Sequence, residues 1–159
     1  MAALICRAAG KTPLDRPTPT FADVPQTNPF YGWIERFCDA ASWAGAPPGT
    51  ACSTFGPKKF CPSAAVSRQE IAMVLCSATG RPPMPSCTGI FADVPSRSLF
   101  CPWIERLADP ASWPNNTAPT SGCLCPPTLP AGSRCYCPAG RVTRAQLAVF
   151  LVRAFAIPL

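Results

Sequence analysis

The sequence contains no histidine among its 159 residues. Without histidine, the Ser–His and Cys–His pairs that activate most side-chain nucleophiles cannot form. A Gly-x-Ser-x-Gly elbow and a phosphate-binding glycine loop are absent as well. Acidic residues are scarce: eight Asp and Glu stand against fourteen Lys and Arg, for a net charge of +6. Such a surplus favours solubility and mild attraction to anionic polymers. It lacks the layout of a nucleic-acid interface, because the only adjacent lysines are Lys58 and Lys59 and no basic stripe follows a helix. No apolar run approaches the roughly 20 residues that span a bilayer. Nucleic acid and membrane insertion are therefore set aside, no cofactor or metal is expected, and an enzyme ranks last among the function classes.

Cysteine, proline and apolar residues are abundant. Hydrophobic content of 48% argues against disorder. The 22 prolines and 10 glycines imply long loops. Eleven cysteines point to an oxidising, extracellular setting. The opening MAALICRAAGK has no basic leader, and Arg7 closes its short apolar run. Met1 also falls in mid-repeat, so the chain reads as a mature or truncated piece.

The repeat is explicit. FADVPQTNPFYGWIERF starts at Phe21 and FADVPSRSLFCPWIERL at Phe91, an offset of 70 residues. The same offset relates DAASW at Asp39 to DPASW at Asp109, and MAALICRAAG at Met1 to IAMVLCSATG at Ile71. Beyond Trp113 the offset becomes 76, since CPSAAVSRQ from Cys61 matches CPAGRVTRA from Cys137. The second copy thus carries a six-residue insertion in its cysteine-rich loop. Repeats of this length imply a stacked or pseudo-symmetric architecture.

Two kinds of helix emerge. In the first, Phe30, Trp33, Ile34 and Phe37 (twins Phe100, Trp103, Ile104 and Leu107) share one face, with Glu35 and Arg36 facing away. A short strand-like FADV precedes it and ends in proline. In the second, Ser67 with Glu70 and Thr143 with Gln146 form capping boxes. Val66 with Ile71 and Val142 with Leu147 add hydrophobic staples. The following residues are almost wholly apolar, which implies burial on all sides. Gly80 stops one copy. The expected helices are about 1–9, 67–79 and 143–155 in the centre, with 30–41 and 100–109 at the periphery.

In order and spacing, FADVP…PFYGWIERF…FCP…VSRQEIA and FADVP…WIERL…YCP…VTRAQLAVFLVRA resemble S-layer homology repeats. The resemblance covers essentially the whole chain. It implies that residues 1–20 are the C-terminal half of a first repeat plus linker, 21–90 a second repeat and 91–159 a third, all in one pseudo-symmetric domain. It implies a mainly α fold: a pseudo-threefold bundle of helical repeats with long Pro/Cys-rich loops and disulfides. It also implies a non-catalytic extracellular module at the bacterial cell surface. Cell-envelope polysaccharide, often anionic, would bind in grooves between repeats. The arginine of the family's Thr-Arg-Ala-Glu motif falls on Arg68 and Arg144, each the first residue of its helix, where the helix dipole favours anions. Trp33 and Trp103 complete the candidate glycan-binding set. The chain departs from the pattern in having Pro29 and Leu99 for an aromatic, Gln146 for the motif glutamate, and SWAGAPPGTAC and SWPNNTAPTSGCLC for the family's glycine turn. A second expectation is self-assembly, since an unfinished pseudo-trimer leaves one side of its central helices for other copies of the chain.

The cysteines suggest one disulfide per repeat, Cys52–Cys61 and Cys123–Cys137, with Cys125–Cys135 nested inside the second. A four-thiolate zinc site from CLC and CYC is the alternative, and zinc favours wider spacing. Cys6 and Cys38 are a further candidate pair, which leaves Cys76, Cys87 and Cys101. An odd total leaves at least one thiol free or bridging to another chain. Glu35 and Glu105 recur with their helix and read as structural rather than as acid–base catalysts. Asp23 and Asp93 are expected to bond their own loop backbone. TPLDRPTPT reads as an extended linker, and Asn115 opens a glycosylation-type tripeptide.

Overall fold

The computed structural model describes residues 1–43, 48, 49, 52, 56–120 and 122–158. Most of the loop SWAGAPPGTAC after Trp43 lies outside these residues. The chain is mainly α. Among the described residues five α-helices follow in order: α1 (Ala2–Ala8), α2 (Tyr31–Phe37), α3 (Arg68–Ala78), α4 (Cys101–Ala108) and α5 (Arg144–Ala154). Short 3-10 turns at Ala40–Ser42 and Pro110–Ser112 extend α2 and α4. Among the described residues β-structure is confined to two isolated bridges, Ser67 with Arg141 and Cys123 with Cys135. The chain divides into two compact units, Met1–Ala64 and Ala65–Leu159.

Each unit is built on the same two-helix module, and the module is out of phase with the sequence repeat. It joins the last helix of one repeat to the first helix of the next. In the first unit α1 packs on α2, and the Cys6 thiol donates to the Trp33 carbonyl at 3.7 Å. In the second, α3 packs on α4, and the Cys76 thiol donates to the Trp103 carbonyl at 3.8 Å. Ile71, Leu75, Ile104 and Leu107 are fully enclosed there, each contributing about 2 kcal/mol through burial.

An extended strap leaves the first helix of each module through a left-handed glycine. The Gly10 and Gly80 N–H groups bond the Arg7 and Ser77 carbonyls, and the Lys11 and Arg81 N–H groups bond those of Cys6 and Cys76. Both glycines sit at φ 67°, as the Schellman turn requires. The straps then lie along the second helix. The Leu14 N–H donates to the Gly32 carbonyl at 2.8 Å and the Met84 N–H to the Pro102 carbonyl at 3.1 Å. The approach is close at Gly32, where a Cβ would come within 2.9 Å of that of Pro13. TPLDRPTPT forms neither helix nor strand and is fastened down its length, at Leu14, Arg16 and Thr20.

A tryptophan closes each module. The Trp43 indole N–H donates to the Arg36 carbonyl at 3.0 Å, and that of Trp113 to the Arg106 carbonyl at 2.9 Å. Lys11 stands 5.7 Å from the Trp43 ring and Arg81 4.4 Å from the Trp113 ring, within cation–π range.

Several expectations need correction. FADV forms a turn and no strand: Phe21, Val24, Phe91 and Val94 point into the core, and the aspartates point along the backbone of a distant loop. Glu35 does not face away from the apolar face of α2; it is 1% exposed, while Phe30 is 56% exposed. The central-type helices are not buried all round either, since Val149 of α5 is 46% exposed.

Candidate functional site

The two motif arginines share a local structure and meet opposite surroundings. Ser67 and Thr143 cap α3 and α5 through full capping boxes with Glu70 and Gln146. Arg68 is 5% exposed. Its Nε donates to the Tyr136 carbonyl at 2.8 Å, and its Nη2 reaches Thr120 Oγ1 at 3.0 Å and the Gly122 carbonyl at 3.2 Å. Its guanidinium lies 4.9 Å from the Tyr136 ring and 5.7 Å from that of Phe150. The Tyr136 hydroxyl donates back to the Arg68 carbonyl at 2.8 Å, and burial pushes its pKa up. Gly122 is obligatory in this socket: φ is +97°, and a Cβ would collide with the Cys135 carbonyl. Arg144, by contrast, is exposed at the first turn of α5. A guanidinium whose donors are engaged by protein oxygens is already satisfied; one at an open helix start retains all five donors.

The two tryptophans of the candidate set are half-buried. The Trp33 ring lies 4.9 Å beneath the Arg7 guanidinium. Trp103 serves α3 through its carbonyl. Within the second unit, no hydrogen bond or ring contact among the described residues joins Arg68, Arg144 and Trp103 to one another.

The repeated carboxylates are all engaged internally. Asp23 accepts the N–H groups of Phe60 and Cys61, both at 2.8 Å, and Asp93 those of Tyr136 and Cys137, at 2.8 and 2.7 Å. These donors lie about forty positions away in sequence, beyond the aspartate's own loop, and at Asp23 they add to the expected bond from its own backbone. The contact holds Cys61 and Cys137 in the left-handed region, at φ 57° and 58°. Burial acts to raise the Asp23 pKa, and the N–H donors outweigh it, leaving the carboxyl below its ordinary value. Glu105, 2% exposed, accepts the N–H groups of Thr88, Gly89 and Ile90 at 2.8, 2.7 and 3.2 Å. Burial again opposes, yet these bonds and the Thr88 hydroxyl hold its pKa below the usual range. Glu35 accepts the Thr20 N–H at 2.8 Å and lies 3.3 Å from Arg16 Nε.

Four disulfides form: Cys52–Cys61, Cys87–Cys101, Cys123–Cys137 and Cys125–Cys135. The nested pair is present as expected, so CLC and CYC form two disulfides rather than a four-thiolate zinc site. Cys6 and Cys38 do not pair; with Cys76 they are free thiols. Burial pushes the Cys6 pKa to about 11 and those of Cys38 and Cys76 to about 12, which suppresses thiolate chemistry. Asp23, Asp93 and Glu105 each lie near a sulfur pair. Those sulfurs are disulfide-bonded and offer no thiolate to a cation.

Sequence reasoning missed the Arg68 socket. Tyr136 aligns with Phe60, and the added hydroxyl was the available signal. A surface groove of about 360 Å³ was missed as well; it is lined by Pro114, Asn115, Thr117, Val152, Arg153 and Ile157 among others. Among the described residues no helix is long and apolar enough to cross a membrane. No protein-family model matches the chain, and no curated protein matches it.

Proposed function

We propose that this chain is a non-catalytic extracellular module of S-layer homology type, its helices set in a pseudo-threefold bundle, which tethers to anionic polysaccharide of a bacterial cell envelope. The observation that carries the reading is the contrast between the two motif arginines. Arg68 holds protein carbonyls together, whereas Arg144 presents free donors at the start of a capped helix of eleven residues. An exposed guanidinium at a helix N-terminus suits carboxylate or phosphate groups on a sugar polymer. Four disulfides favour an oxidising compartment. The repeated carboxylates act as acceptors for backbone N–H groups, which supports a structural role for them.

The test is co-sedimentation of the unreduced protein with isolated cell envelope. Wild type should pellet with envelope and remain in solution without it. Arg144→Glu should abolish pelleting and keep the wild-type circular dichroism spectrum. Undiminished pelleting of that variant would remove the polysaccharide reading.

A second reading is a self-assembling subunit of an extracellular filament or surface layer. The exposed apolar side chains of α5 favour it. Pelleting of the protein by itself is its signature.

A further inference from the structure

α1, α3 and α5 are three copies of one helix, and the structure covers only two of them in the same way. All three end alike. The N–H groups of Lys11, Arg81 and Ile157 bond the carbonyls of Cys6, Cys76 and Val152 at 2.8, 2.8 and 3.0 Å. The residue before each is left-handed: Gly10 and Gly80 at φ 67°, and Ala156 at φ 50°. α5 therefore sends the chain out in the direction of a strap, as α1 and α3 do.

The flank beside that exit differs. Ala2 and Ala72, on the first helix of their modules, are buried; Ala148, at the same position of α5, is exposed. Cys6 and Cys76 are fully enclosed against Trp33 and Trp103. Val152, their counterpart, is half-buried and lines the open groove. Lys11 and Arg81 lie against tryptophan rings; Ile157 stands in their place and is 38% exposed. Among the described residues no helix packs along α5 as α4 packs along α3.

We infer that the α5 flank formed by Ala148, Val152 and Ile157 is a docking site for a strap and helix of the kind formed by residues 81–113. The occupant follows from continuity with two existing interfaces. The same position of α1 and α3 accepts a helix of Trp-Ile-Glu-Arg type, with the carbonyl of its tryptophan over position 6 or 76. Val152 replaces a cysteine there and needs no hydrogen bond. Ile157 replaces a cation and offers apolar contact to the closing tryptophan. This inference rests on the two-helix module and is independent of the polysaccharide, so each can fail alone.

A labelled peptide of residues 81–113, oxidised at Cys87–Cys101, is titrated into the intact, unreduced chain and followed by fluorescence anisotropy. Saturable binding is expected, with Ala148→Arg in the chain weakening it by about tenfold or more, which is at least about 1.4 kcal/mol. Ala148 is exposed, so that variant should keep its helicity, and circular dichroism verifies it. A peptide carrying Ile104→Asp and Leu107→Asp, which lacks the packing face, should not bind. Absence of saturable binding, or equal binding to the Ala148→Arg chain, overturns the inference. Sedimentation velocity of the chain alone supplies the remaining outcome: a dimer lost in Ala148→Arg without any peptide binding assigns the flank to a second copy and overturns the proposed occupant.

Discussion

Tyr31 and Cys101 occupy the same position of the two modules, 70 residues apart, and each fastens the strap by a different bond. The Tyr31 hydroxyl donates to the Arg16 carbonyl at 2.8 Å. Cys101 is joined covalently to Cys87. The buried glutamate beneath is served differently as well. In the second unit three consecutive N–H groups point at Glu105. In the first, prolines 17 and 19 stand where Cys87 and Gly89 stand in the second, and proline has no N–H to donate. Arg16 supplies the missing positive charge, 3.3 Å from Glu35 and 2.9 Å from Asp39.

Exchange of the two devices is therefore expected to work. Pro17→Cys with Tyr31→Cys should form a disulfide under the conditions that form Cys87–Cys101. It should stabilise the first unit by about 3 kcal/mol relative to Pro17→Ser with Tyr31→Ser, the magnitude for a loop of about 15 residues. Peptide mapping without reduction and urea unfolding check both parts. Two persistent free thiols would show that the straps do not superpose as described.

The motif arginines make a second prediction. Arg68→Ala leaves the Tyr136 and Gly122 carbonyls and the Thr120 hydroxyl without their donor in a buried socket. The loss should be about 3 kcal/mol or more. Arg144→Ala removes an exposed side chain and should stay within about 0.5 kcal/mol of wild type. Chemical denaturation of the two variants measures the difference; equal losses would mean that α5 has a socket of its own.

Legibility in the sequence followed the range of the interaction. The capping boxes at Ser67 and Thr143 join residues three apart, and both were readable. The helix centres were placed by apolar spacing, and the left-handed exit by Gly80. Nested Cys125–Cys135 followed from nesting of positions around a short loop. What failed was long-range. Asp23 and Asp93 find donors on a loop whose approach no local pattern encodes. Glu35 lies on the polar side of α2 by spacing, yet the strap folds over that side and buries it. Cys6 and Cys38 were paired as residues of a central and a peripheral helix, while Cys87 lay on a strap that brings it to Cys101. Arg68 and Arg144 follow near-identical motifs, and only the surrounding loop separates a socketed side chain from a free one.

Glu105 gives the pH dependence its sign. Its folded pKa is lowered from the ordinary 4.5. Near and below that value the unfolded chain therefore binds more protons than the folded one, so stability falls with falling pH. The contribution of Glu105 is fully present above the unfolded pKa and is lost as pH drops through the folded value. Glu105→Gln should remove this part of the acid sensitivity. It should also cost about 3 kcal/mol at neutral pH, because an amide offers one acceptor oxygen where a carboxylate offers two to the N–H groups of Thr88, Gly89 and Ile90. Urea midpoints of wild type and variant at about pH 7 and about pH 3 test this, with the gap between the two proteins narrowing at the lower pH. A gap that stays constant would mean that the carboxylate is not the acceptor holding the strap.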